Sequence, residues 1–549
     1  MFRRKIIGST FQVGAAALTL LVGGLLGAAS PAAAATSHTD YTHCRTSISL
    51  GRVQGLAQGA TCSYLGVPYA APPTGARRFL PPAPVTPWHG TLQATAAKPG
   101  CPQDLTVGPG VGTEDCLYTD VWQPRGGASA RQPKPVMVFI HGGADELGAA
   151  GDPVFNGAQL ADHGDAIVVS VDYRLGLLGW TELGGLDPRY AGSGNNGLRD
   201  QIAALTWVRQ HVGAFGGDPG NVTVFGQSAG AISIDAMLAG NHPERLFQRA
   251  IVESGPGYLV HSQDYARSAA AHVLAAGKIT SVAQLDAMST AQLLQLQATA
   301  QQGVPGLADA LFFGPSIDGR LVPGPVVDRI AAGSARDVQL MTGTTENETD
   351  YWALFEPAVL DLPLSAYQSF PAVLADRKQQ MYDAYAADRP GLPAGRVVNA
   401  MITDQTERVP TLRMAEAQSR WRPTYVYQFD WHVPYVAGLP AAQNLGAMHT
   451  LELPFVFGNL DLDAFPRGAA TVAADRPQLT ALSDDMMTSW TSFARNGVPG
   501  WPSYTPSVRA TRIWDTHPSV QDAPMENERA LWNAYPFPDW DVREWSAQS

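Results

Sequence analysis

One serine lies in a stretch from which bulky neighbours are excluded. Residues 223–233 read TVFGQSAGAIS, with Gly226, Ala229 and Gly230 around Ser228. The letters TVF favour a strand and the letters after the serine a helix, which predicts a sharp strand-to-helix turn. Such a turn exposes the hydroxyl, and the amides at the start of the helix point toward an oxyanion formed beside it. The spacing therefore predicts Ser228 as a nucleophile.

A serine hydroxyl needs a base, and the base needs an acid to orient it. In proteins with this strand–serine–helix motif the chain order is serine, acid, histidine. The histidines beyond the candidate acids are His432, His449 and His517. The carboxylates that follow the strand-like run DVQLMTGT (337–344) are Glu346, Glu348 and Asp350. The residues alone leave these alternatives open.

The elements that must position these groups alternate between strand and helix patterns. Continuous apolar runs, which are typical of parallel strands buried on both faces, occur at 135–140, 166–171, 221–225 and 249–254. Between the second and third run, 198–212 places apolar residues on one helical face. This order predicts right-handed crossovers and a doubly wound α/β sheet. Residues 256–330 are rich in Ala, Gln and Leu and are predicted to form a helical insertion above the sheet.

The N-terminus is predicted to be a signal peptide. A basic start, MFRRK, precedes an apolar stretch (Ile6–Ala29), and SPAAAATS offers a cleavage site near Ala35. An uncleaved membrane anchor is the alternative, and the arginine pair also fits a twin-arginine signal, although the Sec route is favoured. Residues 1–35 are thus expected to be removed. The mature chain, 36–549, is expected to be one secreted domain without stable membrane association.

Charge and cysteine spacing exclude some other classes. The net charge of −12 argues against a broad phosphate-binding surface, so nucleic acid is not an expected partner. The four cysteines form no CxxC motif, which gives no support to a zinc or thioredoxin-type site. Of the three possible pairings we favour the sequential one, Cys44–Cys62 and Cys101–Cys116. No metal or organic cofactor is expected, and the oligomeric state is not predicted.

Ordered motifs along nearly all of the mature chain resemble the type-B carboxylesterase/lipase family, which includes the cholinesterases. The motifs are GVPYAAPPTGARRF (66–79), EDCLYTDVWQP (114–124), HGG (141–143), DYRLGLLGW (172–180), GNNGLRDQIAALTWV, FGGDPGNVTVFGQSAGAIS, HTLELPFVFG and WTSFARNGVPGWPSY. The resemblance implies an α/β-hydrolase fold. It would have a large, mostly parallel central sheet flanked by helices, with helical insertions near the mouth of the active site.

The resemblance also implies roles for individual residues. Ser228 would be the nucleophile, His449 the general base and then acid, and Glu348 the carboxylate that orients the histidine. Glu346, two residues earlier, is the weaker candidate for the acid, and Ser254 is implied to support the triad. Such a triad hydrolyses carboxylic esters through an acyl-enzyme. The expected substrate is a small ester.

The oxyanion loop of the family, H-G-G-G, corresponds here to His141–Ala144. The implied oxyanion donors are the N–H groups of Gly143, Ala144 and Ala229. The resemblance also implies an ion pair between Arg78 and Glu114 and the Cys101–Cys116 disulfide.

Three departures from the family bear on the substrate. Asp145 and Glu146 stand where aromatic residues are common. They are expected either to be solvated or paired with arginine, or to form a polar, cation-attracting wall at the pocket mouth. Gln227 stands where cholinesterases carry glutamate, and the 102–115 loop contains no tryptophan, which argues against a cholinesterase. Lipase or amidase activity on the same triad, and a non-catalytic cholinesterase-like binding protein, are the alternatives.

Overall fold

The computed structural model describes residues 44–103, 112–125, 133–302, 304, 311–354, 357–366, 377–432, 445–460 and 469–535, without the side chains of 469–474. The predicted signal peptide lies outside the described residues. Among those that are described, no helix has the length and apolar character that crossing a bilayer requires.

A mixed sheet of eleven strands forms the centre of the fold, and a three-stranded sheet lies near the N-terminus. The strands are β1 (Arg45–Ile48), β2 (Gly51–Gln54), β3 (Leu56–Gln58), β4 (Thr61–Pro68), β5 (Thr91–Gln93), β6 (Tyr118–Pro124), β7 (Lys134–Ile140), β8 (Ile167–Val171), β9 (Gly217–Gln227), β10 (Arg249–Glu253), β11 (Gln339–Thr345), β12 (Thr424–Phe429), β13 (Ala510–Trp514) and β14 (Ser519–Asp522). The large sheet runs in the order β14-β13-β12-β11-β10-β9-β7-β8-β6-β4-β3, and the small one in the order β1-β2-β5.

The seven central strands of the large sheet, from β8 to β13 in spatial order, are parallel. The strands at both edges pair antiparallel. The prediction of a large, mostly parallel sheet is confirmed.

Helices cover both faces of this sheet. They are α1 (Ala158–Gly164), α2 (Gly176–Trp180), α3 (Asn196–His211), α4 (Ala229–Ala239), α5 (Gln263–Ala276), α6 (Val282–Asp286), α7 (Thr290–Gln301), α8 (Val326–Ala331), α9 (Lys378–Asp388), α10 (Ala394–Thr403), α11 (Val409–Ser419), α12 (Leu453–Phe457), α13 (Ala469–Asn496) and α14 (Glu526–Leu531). The predicted helical insertion contains α5 to α8.

Strand β7 shows why the central strands read as continuous apolar runs. All seven of its residues are buried. Val136, Val138 and Ile140 belong to one hydrophobic core, whereas Met137 and Phe139 belong to the core on the opposite face. Successive side chains of a strand point to opposite faces, so a strand between two cores has no polar face.

The N-terminal part of the chain is cross-linked to the body of the fold. Both disulfides form in the predicted pairing, with Cα–Cα distances of 5.4 Å for Cys44–Cys62 and 5.0 Å for Cys101–Cys116. Each closes a short loop, a restriction of the unfolded chain that is worth roughly 3 kcal/mol. The implied ion pair also forms, because Arg78 donates to both carboxylate oxygens of Glu114 at 2.7 and 2.8 Å.

Candidate active site

The space around Ser228 is small because the end of a neighbouring strand packs against its turn. Ser228 joins β9 to α4 with φ 56° and ψ −126°, a conformation that L-residues rarely adopt. A Cβ on Gly230 would lie 2.1 Å from the carbonyl oxygen of Ile140, and a Cβ on Gly226 would lie 2.7 Å from the same atom. Glycine is therefore required at both positions. The strained turn keeps the serine at the carboxyl end of the central strand.

The loop after β7 brings backbone N–H groups toward this serine. A Cβ on Gly142 would lie 2.9 Å from the Cβ of Ser228, so the loop contacts the turn directly. The hydroxyl of Tyr173 donates to the carbonyl of His141 at 2.8 Å and fixes the start of the loop. Within the part of the chain that the structure describes, the N–H groups of Gly143, Ala144 and Ala229 donate no hydrogen bond. Three free donors beside a nucleophile can bind an oxyanion.

Ala144 has a backbone conformation that normally favours glycine. Its φ is 56°, and the left-handed region costs a residue with a Cβ about 1–2 kcal/mol. We expect Ala144→Gly to keep kcat and stability close to the wild-type values, because the strain relieved and the entropy lost are similar. Ala144→Val should lower kcat by about 10²–10³, because a β-branched residue is strongly disfavoured at this φ and a backbone shift would turn the N–H of residue 144 away from the oxyanion.

The measurement is kcat on a chromogenic ester together with thermal unfolding of each variant. Equal kcat for the glycine and valine variants would show that the amide of residue 144 does not face the reacting carbonyl.

His449 and Glu348 are in direct contact. The Nδ1 atom of His449 lies 2.5 Å from Oε2 of Glu348. The other carboxylate oxygen, Oε1, accepts from the Ser254 hydroxyl at 2.6 Å and from the Thr345 N–H at 2.7 Å. A carboxylate accepts the Nδ1 proton, so the lone pair of the imidazole is on Nε2. This is the tautomer that a general base requires.

Glu346, the weaker candidate for the acid, points elsewhere. Its carboxylate binds Nε2 of His432 at 2.7 Å, and the His432 side chain is 58% exposed. The structure thus pairs each of these glutamates with a different histidine. Of the two pairs, it is Glu348–His449 that lies beside the strand-to-helix turn of Ser228, because His449 contacts the adjacent Gln227.

The loop that carries Glu348 is hydrogen-bonded to the loop that carries His449, a feature that sequence reasoning missed. The Asn347 N–H donates to the carbonyl of Ala447 at 2.9 Å, and the Ala447 N–H donates back to Oδ1 of Asn347 at 3.0 Å. Asp350 accepts from the N–H of Gly446 at 2.9 Å. These bonds fix the distance between acid and base. The sequence has no local signal for this contact, because the two bonded residues are 100 positions apart.

The contact between serine and histidine is not formed. Ser228 Oγ makes no hydrogen bond to the described residues, and the carboxamide nitrogen of Gln227 lies 3.0 Å from Nε2 of His449. Catalytic hydrogen bonds are often long in a free enzyme and shorten when substrate binds.

Two further glutamates lie buried near the Glu348–His449 pair, and sequence reasoning missed both. Glu253 ends β10 immediately before Ser254, and Glu452 follows His449 by three residues. Burial raises the pKa of Glu253 to about 8, although the Trp490 N–H donates to it at 2.6 Å. Burial raises the pKa of Glu452 well above its ordinary value, and the charges of Glu253 and Glu348 raise it further. Burial thus favours the protonated form of both carboxyl groups.

The raised pKa of Glu253 makes the stability of the fold depend on pH. In the folded state this carboxyl keeps its proton up to about pH 8, whereas in the unfolded chain it loses the proton above its ordinary value of 4.5. Its contribution to stability is thus fully present below pH 4.5 and is lost as the pH rises through 8. Each unit of difference is worth about 1.4 kcal/mol, so the loss amounts to a few kcal/mol.

We expect Glu253→Gln, which mimics the protonated acid, to remove this dependence. The free energy of unfolding of the variant minus that of wild type should be larger at pH 8 than at pH 5. Glu244→Gln, at a solvent-accessible glutamate, is the control. Denaturant titrations at both pH values measure the difference, and parallel curves for wild type and Glu253→Gln would contradict the assignment.

Asp145 and Glu146 are not solvated, contrary to the first of the two sequence expectations. Their exposed fractions are 2% and 5%. Glu146 accepts hydrogen bonds from the carboxamides of Gln297 at 2.8 Å and Gln301 at 2.7 Å, both on α7. Glu146 is thus hydrogen-bonded to two glutamines of the helical insertion. Burial raises the pKa of Asp145 well above its ordinary value, and the charge of Glu146 raises it further.

A cation-attracting wall would need an ionised, accessible carboxylate. Burial disfavours the ionised form of Asp145, so this side chain does not offer an accessible charge. Glu146 joins the oxyanion loop to α7 of the helical insertion. The insertion therefore extends to the immediate neighbourhood of the candidate oxyanion site.

Comparisons with known proteins identify the family of the chain. The sequence profile of the Carboxylesterase family matches residues 42–532. The chain is 36% identical over 508 residues to para-nitrobenzyl esterase of Bacillus subtilis (strain 168), covering 89% of this chain and 98% of that protein. It is 30% identical to mouse Neuroligin-2 over 516 residues, covering 82% of this chain and 60% of that protein.

Solved structures show the same relationship. A crystal structure of a carboxylesterase of Geobacillus stearothermophilus superposes with a TM-score of 0.77 at 32% identity, covering 89% of this chain and 100% of that one. The match of the family profile covers far more than half of the chain, and the strands that carry it form the α/β-hydrolase sheet described above. The chain therefore belongs to the carboxylesterase family and is an ester hydrolase.

Proposed function

We propose that this protein is a secreted serine carboxylesterase that works through an acyl-enzyme. Ser228 Oγ attacks the ester carbonyl carbon while Nε2 of His449 takes the hydroxyl proton. The N–H groups of Gly143, Ala144 and Ala229 bind the oxyanion of the tetrahedral intermediate. His449 then returns the proton to the departing alcohol, and water, deprotonated by His449, hydrolyses the acyl-serine to release the acid.

The observation that carries the proposal is the 2.5 Å contact between His449 Nδ1 and Glu348 Oε2, beside a serine on a strained turn. Glu348 holds the imidazole in the tautomer that can accept a proton from Ser228. It also stabilises the imidazolium that forms during both halves of the reaction. Ser254 and Thr345 occupy the second oxygen of Glu348, so this carboxylate cannot rotate away from the histidine.

Secretion is part of the proposal. The two disulfides are of the kind that persists in an oxidising compartment, and the basic and apolar N-terminus fits a signal peptide over residues 1–35. The mature chain would begin after Ala35 and fold as one α/β-hydrolase domain. N-terminal sequencing of the protein collected from the medium tests this point, and a protein that retains its first 35 residues would contradict it.

The rival is a non-catalytic binding protein of the same fold. The presence of serine, histidine and glutamate in one site favours catalysis, because a binding surface does not need them. The test is a stopped-flow assay with a chromogenic ester, followed by labelling with a small organophosphate. We expect a burst of alcohol release that is stoichiometric with the enzyme, and phosphylation of Ser228 identified by peptide mass mapping. No turnover and no label would exclude the proposal, and a label on another serine would refute the assignment of the nucleophile.

An ester panel separates esterase from lipase and amidase activity. Short-chain esters, emulsified long-chain triglyceride and an anilide should be compared at equal enzyme concentration. We expect the short-chain esters to be hydrolysed fastest, because the proposed substrate is a small ester. Faster hydrolysis of the triglyceride or the anilide would reassign the substrate class on the same triad.

A further inference from the structure

Gln227 contacts the imidazole of His449 in a way that the proposed reaction does not explain. Gln227 is the last residue of β9 and is 1% exposed. Its carboxamide nitrogen lies 3.0 Å from Nε2 of His449 and 3.5 Å from Nδ1. The backbone beneath it is fixed, because β9 pairs with β10 at Gln227 and Glu253.

The two distances show where the carboxamide lies relative to the ring. The Nε2 lone pair lies in the plane of the imidazole and points away from Nδ1. A donor on that lone pair would therefore be much farther from Nδ1 than from Nε2. The nearly equal distances instead place the carboxamide nitrogen over the face of the ring, close to Nε2. The in-plane lone pair thus stays free for the Ser228 hydroxyl.

Glu348 and Tyr351 also contact the imidazole ring. Glu348 binds Nδ1, and the Tyr351 ring meets the imidazole edge-on, with centroids 5.7 Å apart and planes at 72°. The carboxamide oxygen of Gln227 lies beside the oxyanion loop, 3.1 Å from the position that a Cβ on Gly142 would occupy. A glutamine wedged between the oxyanion loop and the imidazole limits the rotation of that ring.

We propose that Gln227 is a positioning residue that holds the imidazole plane of His449. Because its carboxamide is uncharged, it does not stabilise the protonated imidazole as a second carboxylate would. This inference rests on the proposed role of His449 as the base. A carboxamide has no net charge, so the only anion that the site needs beside the imidazolium is Glu348. A carboxylate at the same place would favour the protonated ring, which cannot act as a base.

The groups around the Glu348–His449 pair determine how strongly a charge at residue 227 would affect the protonation of the imidazole. The titratable groups that lie near the pair are Tyr351, Glu407, Glu452 and Glu253. Burial raises the pKa of Tyr351 to about 12, and burial also raises the pKa of Glu407, Glu452 and Glu253. Burial thus favours the uncharged form of each of these four groups. A charge introduced at residue 227 would add a second anion beside the imidazole.

The test is the pH dependence of kcat/KM in Gln227→Glu. An opposite charge within about 4–6 Å typically moves a pKa by about 1–3 units. We expect the acidic limb of the profile to move to higher pH by about 1–3 units relative to wild type. Gln521→Glu, which adds the same charge at an exposed position of β14, is the matched control and should leave the limb unmoved. An unmoved limb in Gln227→Glu would overturn the inference.

A second variant tests the orienting role without any charge. Gln227→Met keeps the length of the side chain and removes the carboxamide. Its kcat/KM should fall by about 10- to 100-fold at every pH, the cost of a poorly oriented catalytic group, with the acidic limb in its wild-type place. Wild-type kcat/KM in Gln227→Met would contradict the orienting role.

Thermal unfolding of both variants shows whether they are folded. The inference and the proposed function also fail in different ways. A wild-type enzyme that the organophosphate does not label at Ser228 refutes the function. A labelled wild-type enzyme with an unmoved limb in Gln227→Glu refutes only the role of Gln227.

Discussion

Ser228→Ala is expected to lower kcat by about 10⁵–10⁶ without unfolding the protein. The substitution removes the atom that forms the acyl-enzyme, and the oxyanion donors that remain cannot supply a nucleophile. Alanine keeps a Cβ, so the strain of the turn at φ 56° is unchanged and stability should stay close to wild type. The measurement is kcat on a chromogenic ester, combined with thermal unfolding of the same preparation.

Ser47→Ala, on an exposed position of β1, is the matched control and should be fully active. Organophosphate should label the control and wild type but not Ser228→Ala. If the alanine variant kept more than a small fraction of wild-type activity, the nucleophile would have to be another residue.

The central strands could be predicted from the sequence because burial on both faces leaves a clear mark. The runs at 135–140, 166–171 and 249–254 differ from β7, β8 and β10 by one residue at most. The edge strands β1 and β14 have no such continuous apolar run. All four residues of β14 are exposed, and β1 alternates between exposed and intermediate positions. Short half-exposed strands are defined by their partners rather than by their own composition.

Strand β9 shows how tertiary pairing overrides a local signal. Its first residues, GDPGN, contain the turn-forming letters that indicate a break, and the predicted strand began at Asn221. In the structure the strand begins at Gly217, which pairs with Lys134 of β7. The sequence window contains no trace of that partner. Pairing with a distant strand therefore decided the boundary.

The residues of the candidate site also differ in how far the local sequence predicts them. Ser228 could be predicted from five consecutive residues, because the turn needs small neighbours within the same segment. The choice of Glu348 needed the resemblance to a family, since Glu346, Glu348 and Asp350 share one local context. The buried Glu253 and the contact of Gln227 could not be predicted, because both depend on how loops from distant parts of the chain pack.

Glu348→Gln is expected to lower kcat by about 10⁴, whereas Glu346→Gln should change it by less than about twofold. In Glu348→Gln the new carboxamide can keep accepting from Ser254 and Thr345 through its oxygen. Its NH₂ group then faces Nδ1 of His449 and favours the tautomer with the proton on Nε2, which cannot take a proton from serine. A change of this kind in a serine hydrolase triad costs about 10⁴ in kcat.

The two glutamates form a matched pair for this test, two residues apart in one loop. Glu346 contacts His432, and such solvent-accessible ion pairs contribute about 0–1 kcal/mol to stability and nothing to the proposed proton transfer. The measurement is kcat of each variant near pH 8 on one ester, with thermal unfolding as the control for folding. A large loss in Glu346→Gln with little loss in Glu348→Gln would shift the acid by two residues. Equal small losses would mean that His449 keeps its productive tautomer without either carboxylate. The 2.5 Å contact and the two hydrogen bonds on the other oxygen of Glu348 favour the first outcome, a large loss in Glu348→Gln alone.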